Sequence, residues 1–240
     1  MWYALAAGSE ALGGAVGWSV GLYRLWYITG AIGVAAYLGA GTLYLHRDPP
    51  FGSLTVICVL GASVPALATD HLLIGFLGLG SAVVLGAVLS LRPPAFPHVA
   101  LAVLVLASVA AAIEIAQSPV DVSALPTSPD QIVQGGGFDQ EVRALTPPFN
   151  IAGALVLILG AVLSAVYFWR TRALSNRVLS NVLIAVGAFV PSVASGLTRY
   201  GVTSVFFAGE LLGLVCILGG FLLASSSPRV VADRGVQPVV

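Results

Sequence analysis

Three glutamates interrupt long apolar stretches of the chain and are its best candidates for chemistry. Glu10, Glu114 and Glu210 are each flanked on both sides mainly by Ala, Gly, Leu, Ile and Val. A charged side chain at the centre of a bilayer costs about 2.5–3.5 kcal/mol on insertion scales, so such residues mark substrate sites, ion pathways or proton relays. We therefore expect a polar pocket in which these acids bind a substrate or carry protons.

Two arginines, Arg24 and Arg199, are predicted to lie on the same side of the membrane as the three glutamates. The complete candidate pocket is Glu10, Arg24, Glu114, Arg199 and Glu210. The alternative is structural, with glutamate–arginine pairs or neutral glutamates holding helices together. Gly209 and Gly213 form a GxxxG pattern around Glu210, which predicts that another helix packs closely beside this acid.

The remaining residue types exclude several kinds of chemistry. Lysine is absent, which removes Schiff-base chemistry and the P-loop lysine. His46, His71 and His98 stand at predicted helix ends rather than facing each other within the membrane, so no haem or metal site is expected. Cys58 and Cys216 fall in apolar stretches and are interpreted as small core residues. We expect no catalytic residues, no cofactor and no enzyme activity.

Composition places the protein in a membrane. Of the 240 residues, 58% are hydrophobic and only 8% are charged, with a mean hydropathy of +0.99. Soluble domains carry roughly 25% charged residues, so polar groups here could not cover a water-exposed surface. The formal net charge is zero and no basic run occurs, which excludes nucleic acid as a partner. The lipid bilayer is the predicted environment, with no soluble domain.

Eight segments are apolar and about long enough to cross a bilayer as helices. They cover residues 2–21, 25–45, 53–69, 71–91, 98–116, 149–169, 178–198 and 202–224. The sequence therefore predicts an all-α transmembrane bundle of about eight spans in one domain, residues 1–224. Pro65 and Pro191 interrupt two of these spans and are predicted to kink them.

Two segments are predicted to lie outside the bilayer. Residues 117–148 are rich in Pro, Ser, Gly and Asp, so we expect an extramembrane loop that forms either an ordered cap or a mobile flap. The tail 225–240 is predicted to be disordered.

Arginine placement predicts the orientation. Alternating spans collect seven arginines on one side: Arg47, Arg92, Arg170, Arg172, Arg177, Arg229 and Arg234. The positive-inside rule makes this side cytoplasmic. Both termini would then be cytoplasmic, with loop 117–148 facing outward from a bacterial cytoplasmic membrane.

Similar motifs recur in the same order in the two halves, residues 1–92 and 97–224. Gly61-Ala62-Ser63-Val64-Pro65 resembles Gly187-Ala188-Phe189-Val190-Pro191, and Glu10 and Glu114 each follow alanine-rich sequence. These matches suggest a four-plus-four tandem repeat of parallel topology. Because Glu114 lies much farther into its helix than Glu10, the repeat predicts that the first helix lacks several residues at its start.

Several stretches resemble an uncharacterised family of polytopic membrane proteins from high-GC bacteria. They are GWSVGLYRLWYITGAIGVAAYLGAGTLYLHR (17–47), LTPPFNIAGA (145–154) and RVLSNVLIAVGAF (177–189), with the later TRYG and GELLGL. The resemblance implies a multi-pass membrane protein and carries no activity to any residue.

Two functions fit these patterns. The first is a small-molecule or ion transporter, indicated by the similar motifs of the two halves, the spans interrupted by proline and the acidic residues at membrane depth. The second is a non-catalytic subunit, anchor or sensor component of a larger membrane complex, indicated by short loops and glycine-rich helix faces. The second function implies other membrane subunits, or further copies of this chain, as partners.

Overall fold

A computed structural model describes residues 1–46, 48–67, 71–128, 131–171, 175–198, 202 and 204–226 of the chain, and the regular elements within these ranges are all helical. We number the longer helices α1 Trp2–Val16, α2 Val20–Leu45, α3 Pro49–Leu67, α4 Leu72–Leu91, α5 Phe96–Gln117, α6 Gln140–Arg170, α7 Ser175–Thr198 and α8 Phe206–Ser226. Short 3₁₀ turns lie at Pro93–Ala95, Val122–Ala124 and Gly135–Gly137.

Seven of these helices, α2 to α8, are long and apolar enough to cross a membrane. Helix α1 has only 15 residues. The prediction of an all-α transmembrane bundle is therefore confirmed. The protein is an integral, multi-pass membrane protein.

The first connection lies earlier in the sequence than predicted. The chain turns at residues 17–19, so the predicted boundaries 2–21 and 25–45 are wrong. Gly17 has φ +92°, a left-handed conformation that favours glycine and ends α1. The Ser19 hydroxyl oxygen then accepts a hydrogen bond from the Leu22 N–H at 3.2 Å, which caps α2.

Helix α6 begins nine residues before the predicted start at residue 149, so the loop covers 118–139 rather than 117–148. The Asp139 carboxylate accepts a hydrogen bond from the Val142 N–H at 3.0 Å and caps the first turn. Pro147 and Pro148 lie inside the helix, where they remove two backbone donors. These prolines and the polar first turns made a helix look like a loop in the sequence.

The middle of α2 is π-helical. Residues Tyr27–Val34 follow the wider i→i+5 pattern, while the flanking turns are α-helical. The Thr29 hydroxyl donates to the Leu25 carbonyl at 2.7 Å within this region. Wide turns of this kind are rare and frequently lie at functional sites. The sequence analysis did not foresee it.

Helices α2 and α6 form the centre of the bundle. Helices α1 and α5 pack against α2, whereas α3 and α7 pack against α6. Helix α4 pairs with α3, and α8 pairs with α7. Helix α3 thus packs against α4 and α6 rather than against the preceding helix α2, whereas α7 does pack against the preceding helix α6.

Glycines bring α7 and α8 into close contact. A Cβ atom on Gly209 would lie 2.7 Å from the Ala194 side chain, and one on Gly213 would lie 2.7 Å from the Gly187 carbonyl oxygen. The predicted close approach of a helix beside Glu210 is confirmed. The ring of Pro191 also contacts Gly213, so this proline sits within the continuous helix α7 and at its interface with α8.

Residues 118–128 and 131–139 form an ordered cap over one end of the bundle, which we call the cap end. The hydroxyl of the fully buried Tyr23 donates to the Gln134 carbonyl at 2.6 Å and accepts from the Gly137 N–H at 3.0 Å. Phe138 stacks on the Tyr23 ring with centroids 5.2 Å apart. Of the two predicted alternatives, ordered cap or flap, the structure contains the cap.

Some sequence predictions concern residues outside the described parts of the chain. These residues are Arg47, Arg172, Arg199 and the tail from residue 227 onward.

Candidate functional site

A cavity of about 640 Å³ lies among α2, α3, α4, α5 and α6. This volume is within the range of about 300–1,000 Å³ that is typical of small-molecule sites. Its walls are mainly aliphatic, as in Ala40, Val59, Leu77, Leu104 and Val156. The cavity can therefore hold a small molecule with a large apolar surface.

Helical periodicity builds two walls of the cavity. On α5 the lining residues include Ala100, Ala107 and Glu114, spaced seven residues apart. Such spacing places side chains on one face of a helix. On α6, Glu141 and Leu145 face the cavity one turn apart. Small side chains on α5 leave the space open, and each helix carries its glutamate at the cap end.

Polar groups inside the cavity are satisfied by their own helices. The Ser63 hydroxyl donates to the Val59 carbonyl at 2.7 Å, and the Thr55 hydroxyl donates to the Phe51 carbonyl at 3.0 Å. Such local bonds leave little polarity for a ligand. The depth of the cavity is therefore effectively apolar.

The mouth at the cap end is acidic. Glu114 lies in the last turn of α5, Glu141 lies in the first turn of α6, and both are exposed. The half-buried His71, directly before α4, lines the same mouth. No arginine among the described residues lines the cavity. Two carboxylates and one imidazole therefore face any ligand that enters there.

The cavity also opens sideways between α4 and α5. These helices meet near their connecting turn, where Leu85 and Phe96 share a core cluster. Toward the cap end, Leu73 and Leu77 of α4 line the cavity while remaining 73% and 63% exposed. Side chains that face a cavity and the outside of the bundle together mark a gap in its wall. This gap faces the lipid.

The opposite end is closed. Leu43, Phe51, Phe96 and Ala100 form a buried cluster between the cavity and that end of the bundle. His46 adds a hydrogen bond between its Nε2 and the Ser164 hydroxyl at 2.7 Å, which ties the end of α2 to α6. The described structure is therefore open toward the cap end and the lipid, and sealed at the other end.

Glu10 and Glu210 form a second acidic location. Their carboxyl groups lie close enough to interact electrostatically, with Tyr3 beside both. The indole N–H of Trp26 faces the Glu10 carboxyl group, yet Glu10 Oε1 is buried without a hydrogen-bond partner among the described residues. Neither glutamate lines the cavity. Glu10, Trp26 and Glu210 belong to α1, α2 and α8, respectively.

Arg24 contributes to the cap. Its Nη2 donates to the Ser118 carbonyl at 2.8 Å, where the cap begins after α5. Its buried Nε has no hydrogen-bond partner among the described residues. This arginine therefore positions the cap on α2.

The five predicted pocket residues occupy several places. Glu10 lies with Glu210, Glu114 lies in the cavity mouth, Arg24 holds the cap, and Arg199 is outside the described residues.

Sequence reasoning did not select Glu141 and His71 as site residues. Both flank helix starts in polar sequence, where an acid or an imidazole usually faces solvent. A usable signal was the position of Glu114 and Glu141 at the two ends of one connection, since short-range topology places both at the same side. Among the described residues, no group of three or more His, Cys, Asp or Glu side chains is placed to hold a metal ion.

The candidate site is thus an apolar cavity with an acidic mouth, a lateral gap and a sealed far end. A comparison of the chain with models of known families, with curated proteins and with solved structures finds no match.

Proposed function

We propose that the protein is a small-molecule transporter of the bacterial cytoplasmic membrane, and that its substrate occupies the cavity. The observation that supports this function is the asymmetry of the cavity, which is open at the cap end and sealed by the Leu43–Phe51–Phe96 cluster at the other. Transporters alternate between such one-sided states around a site near the membrane midplane.

The packing suggests how the cavity changes sides. Helices α3 and α4 are held together by close contact of Gly78 with Ser63 and of Gly75 with Leu67, so they move as one hairpin. This hairpin contacts α5 mainly near the turn at Pro93–Ala95. Rotation of the hairpin toward α5 closes the lateral gap and separates Phe51 from its partners at the sealed end.

The arginine distribution gives the direction. If the arginine-rich end is cytoplasmic, the cap and the acidic mouth face outward. The open state then receives substrate from outside the cell or from the outer leaflet. Both termini are cytoplasmic in this arrangement.

Cysteine accessibility tests the proposal without a known substrate. In a protein with Cys58 and Cys216 replaced by alanine, Ala107→Cys places one thiol at the middle of the cavity wall. The protein is reconstituted in vesicles of known orientation and treated with a membrane-impermeant maleimide on either side. A transporter is labelled from both sides, because both one-sided states are visited.

Ala102→Cys is the matched control. Ala102 is on the same helix but is exposed outside the cavity, facing lipid. It should react from neither side, because an impermeant reagent needs water at the thiol. Labelling of Ala107→Cys from the cap side alone would argue against transport.

The alternative is a non-transporting subunit, anchor or sensor component. It is favoured by an apolar stripe on α8, in which Leu211, Val215, Leu218 and Leu222 are more than half exposed at helical spacing. This stripe could face a partner helix instead of lipid. Native mass spectrometry from mild detergent distinguishes a monomer from a homo-oligomer or a larger complex, and one-sided cysteine labelling together with a stable complex would support this alternative.

A further inference from the structure

Charge at the cavity mouth is not balanced. The side-chain carboxylates of Glu114 and Glu141 make no hydrogen bond or ion pair with other described residues. Arg143, two residues after Glu141, lies near enough to the Tyr23 hydroxyl to act on it electrostatically, and it does not line the cavity. The mouth thus carries two acidic side chains, and His71 is the one basic side chain among the described residues that line it. An anion entering there is repelled, whereas a cation is attracted.

The rest of the cavity favours apolar ligand surface. Its walls are aliphatic, with Phe149 near the mouth as an aromatic side chain, and the buried hydroxyls are satisfied. Burial of apolar ligand surface contributes about 25 cal/mol per Å². A small inorganic cation makes no use of this surface, and it would lose hydration without replacement ligands in the depth of the cavity.

The lateral gap indicates where such a ligand comes from. Leu73 and Leu77 on α4 face both the cavity and the outside of the bundle, and they stand at the level of the mouth rather than of the sealed end. A molecule that partitions into the bilayer interface, with its apolar part in lipid and its charge near water, matches this opening.

We infer that the substrate is an amphipathic organic cation, because an uncompensated carboxylate pair at the mouth stands above an apolar cavity that opens to lipid. The inference rests on the proposed function for its transport step. The apolar body occupies the space between α3 and α5, and the positive charge lies between Glu114 and Glu141. Size is bounded by the cavity volume of about 640 Å³.

Two ions of nearly the same shape and opposite charge test this assignment. Tetraphenylphosphonium is the cationic probe and tetraphenylborate is the anionic one. Binding to the purified full-length chain in detergent is measured by equilibrium dialysis. The expected result is saturable binding of the phosphonium, and no saturable binding of the borate.

Charge-neutral variants locate the binding. Glu114→Gln and Glu141→Gln should each raise the Kd of the phosphonium by about threefold to fivefold, as expected for partly exposed ion pairs. Asp121→Asn, which removes one exposed negative charge from the cap, should leave the Kd unchanged. Equal binding of the two probes, or an unchanged Kd in the double variant Glu114→Gln/Glu141→Gln, would overturn the inference.

Variants that fill the cavity test the inference independently. Leu104→Trp adds bulk at the cavity wall and should abolish phosphonium binding; Ala107→Leu is a smaller version for use if the first variant does not fold. Retained affinity in a folded filled variant also overturns the inference. Labelling of Ala107→Cys from both sides without any preference for the phosphonium would refute the substrate class alone. Preferential binding with one-sided labelling would refute transport and leave a cation-binding site.

Discussion

Gly39 and Gly153 bring the two central helices so close that a Cβ atom on Gly39 would lie 2.6 Å from the Gly153 carbonyl oxygen. Both glycines also line the cavity, so the same contact sets the spacing of its walls. The close crossing of α2 and α6 thus requires glycine at both positions.

Gly153→Ala is expected to destabilise the protein, because the added methyl group meets the backbone of Ala35 and forces the helices apart. Overpacking of this kind costs about 1–3 kcal/mol. The midpoint of thermal unfolding in detergent should fall. Gly41→Ala is the control, since nothing lies within 4 Å of the added methyl group and helix propensity improves. Equal effects of the two substitutions would contradict the importance of this contact.

Tyr23→Phe should loosen the cap without unfolding the bundle. The substitution removes the hydroxyl that bonds Gln134 and Gly137, at a cost of about 1 kcal/mol for each hydrogen bond. Amide hydrogen exchange should become faster within residues 118–139. Tyr37→Phe is the control, because Tyr37 lies on the same helix and contacts Trp2 through its ring. Unchanged exchange in the cap of Tyr23→Phe would show that its aromatic packing alone is sufficient.

Neutralising either member of the Glu10–Glu210 pair should stabilise the protein at alkaline pH, where both carboxyl groups are ionised. Two neighbouring half-buried carboxylates repel one another, and Glu10 Oε1 has no donor among the described residues. Glu10→Gln and Glu210→Gln should each raise the unfolding midpoint. The double variant should gain less than the sum, because each substitution removes the same repulsion. Additive gains would mean that the two carboxyl groups are independent.

Asp121 gives a prediction for acid pH. Hydrogen bonds from the Ser123 hydroxyl at 2.6 Å and from the Ser123 N–H at 2.9 Å hold the pKa of Asp121 below its ordinary value. A lowered folded pKa means that these bonds stabilise the cap above the unfolded value of about 3.9. That contribution is lost as pH falls through the lower folded value.

The measurement for Asp121 is a carbon-13 NMR titration of the labelled carboxyl group. Its midpoint should lie below about 3.9, and Ser123→Ala should move it upward. A midpoint that does not respond to Ser123→Ala would remove the hydroxyl as the cause. Ser128→Ala, elsewhere in the same exposed loop, is the control.

Hydropathy alone predicted several helices well. Helix α4 was predicted at 71–91 and spans Leu72–Leu91. A continuous apolar run of this length between polar ends is expected to cross the bilayer as one helix. The start of α6 at Gln140 was not predictable in this way. There, the hydrogen bond from the Val142 N–H to the Asp139 carboxylate favours the helix, whereas Pro147 and Pro148 disfavour it. Composition does not show which of these opposing local effects is larger.

The candidate site was harder to predict than the fold. The acids at membrane depth were visible, but their grouping depends on which helices are neighbours in space. Ala107 and Leu104 line a cavity, yet their residue types are the same as those of closely packed helix faces. Empty space arises from the divergence of α4 and α5, a property of tertiary packing that no short sequence pattern records.

The π-helical stretch Tyr27–Val34 affects which sides of α2 face the cap and α6. A standard turn advances each residue by about 100°, so a segment with roughly one more residue per turn rotates everything beyond it by a comparable angle. Tyr23 therefore faces the cap while Gly39 faces α6, on a single continuous rod. The segment therefore holds about one residue more than an α-helix of the same total rotation. Deletion of one residue within it should let it become α-helical with both faces kept, whereas the same deletion in the α-helical turns on either side would turn one half of α2 away from its neighbours.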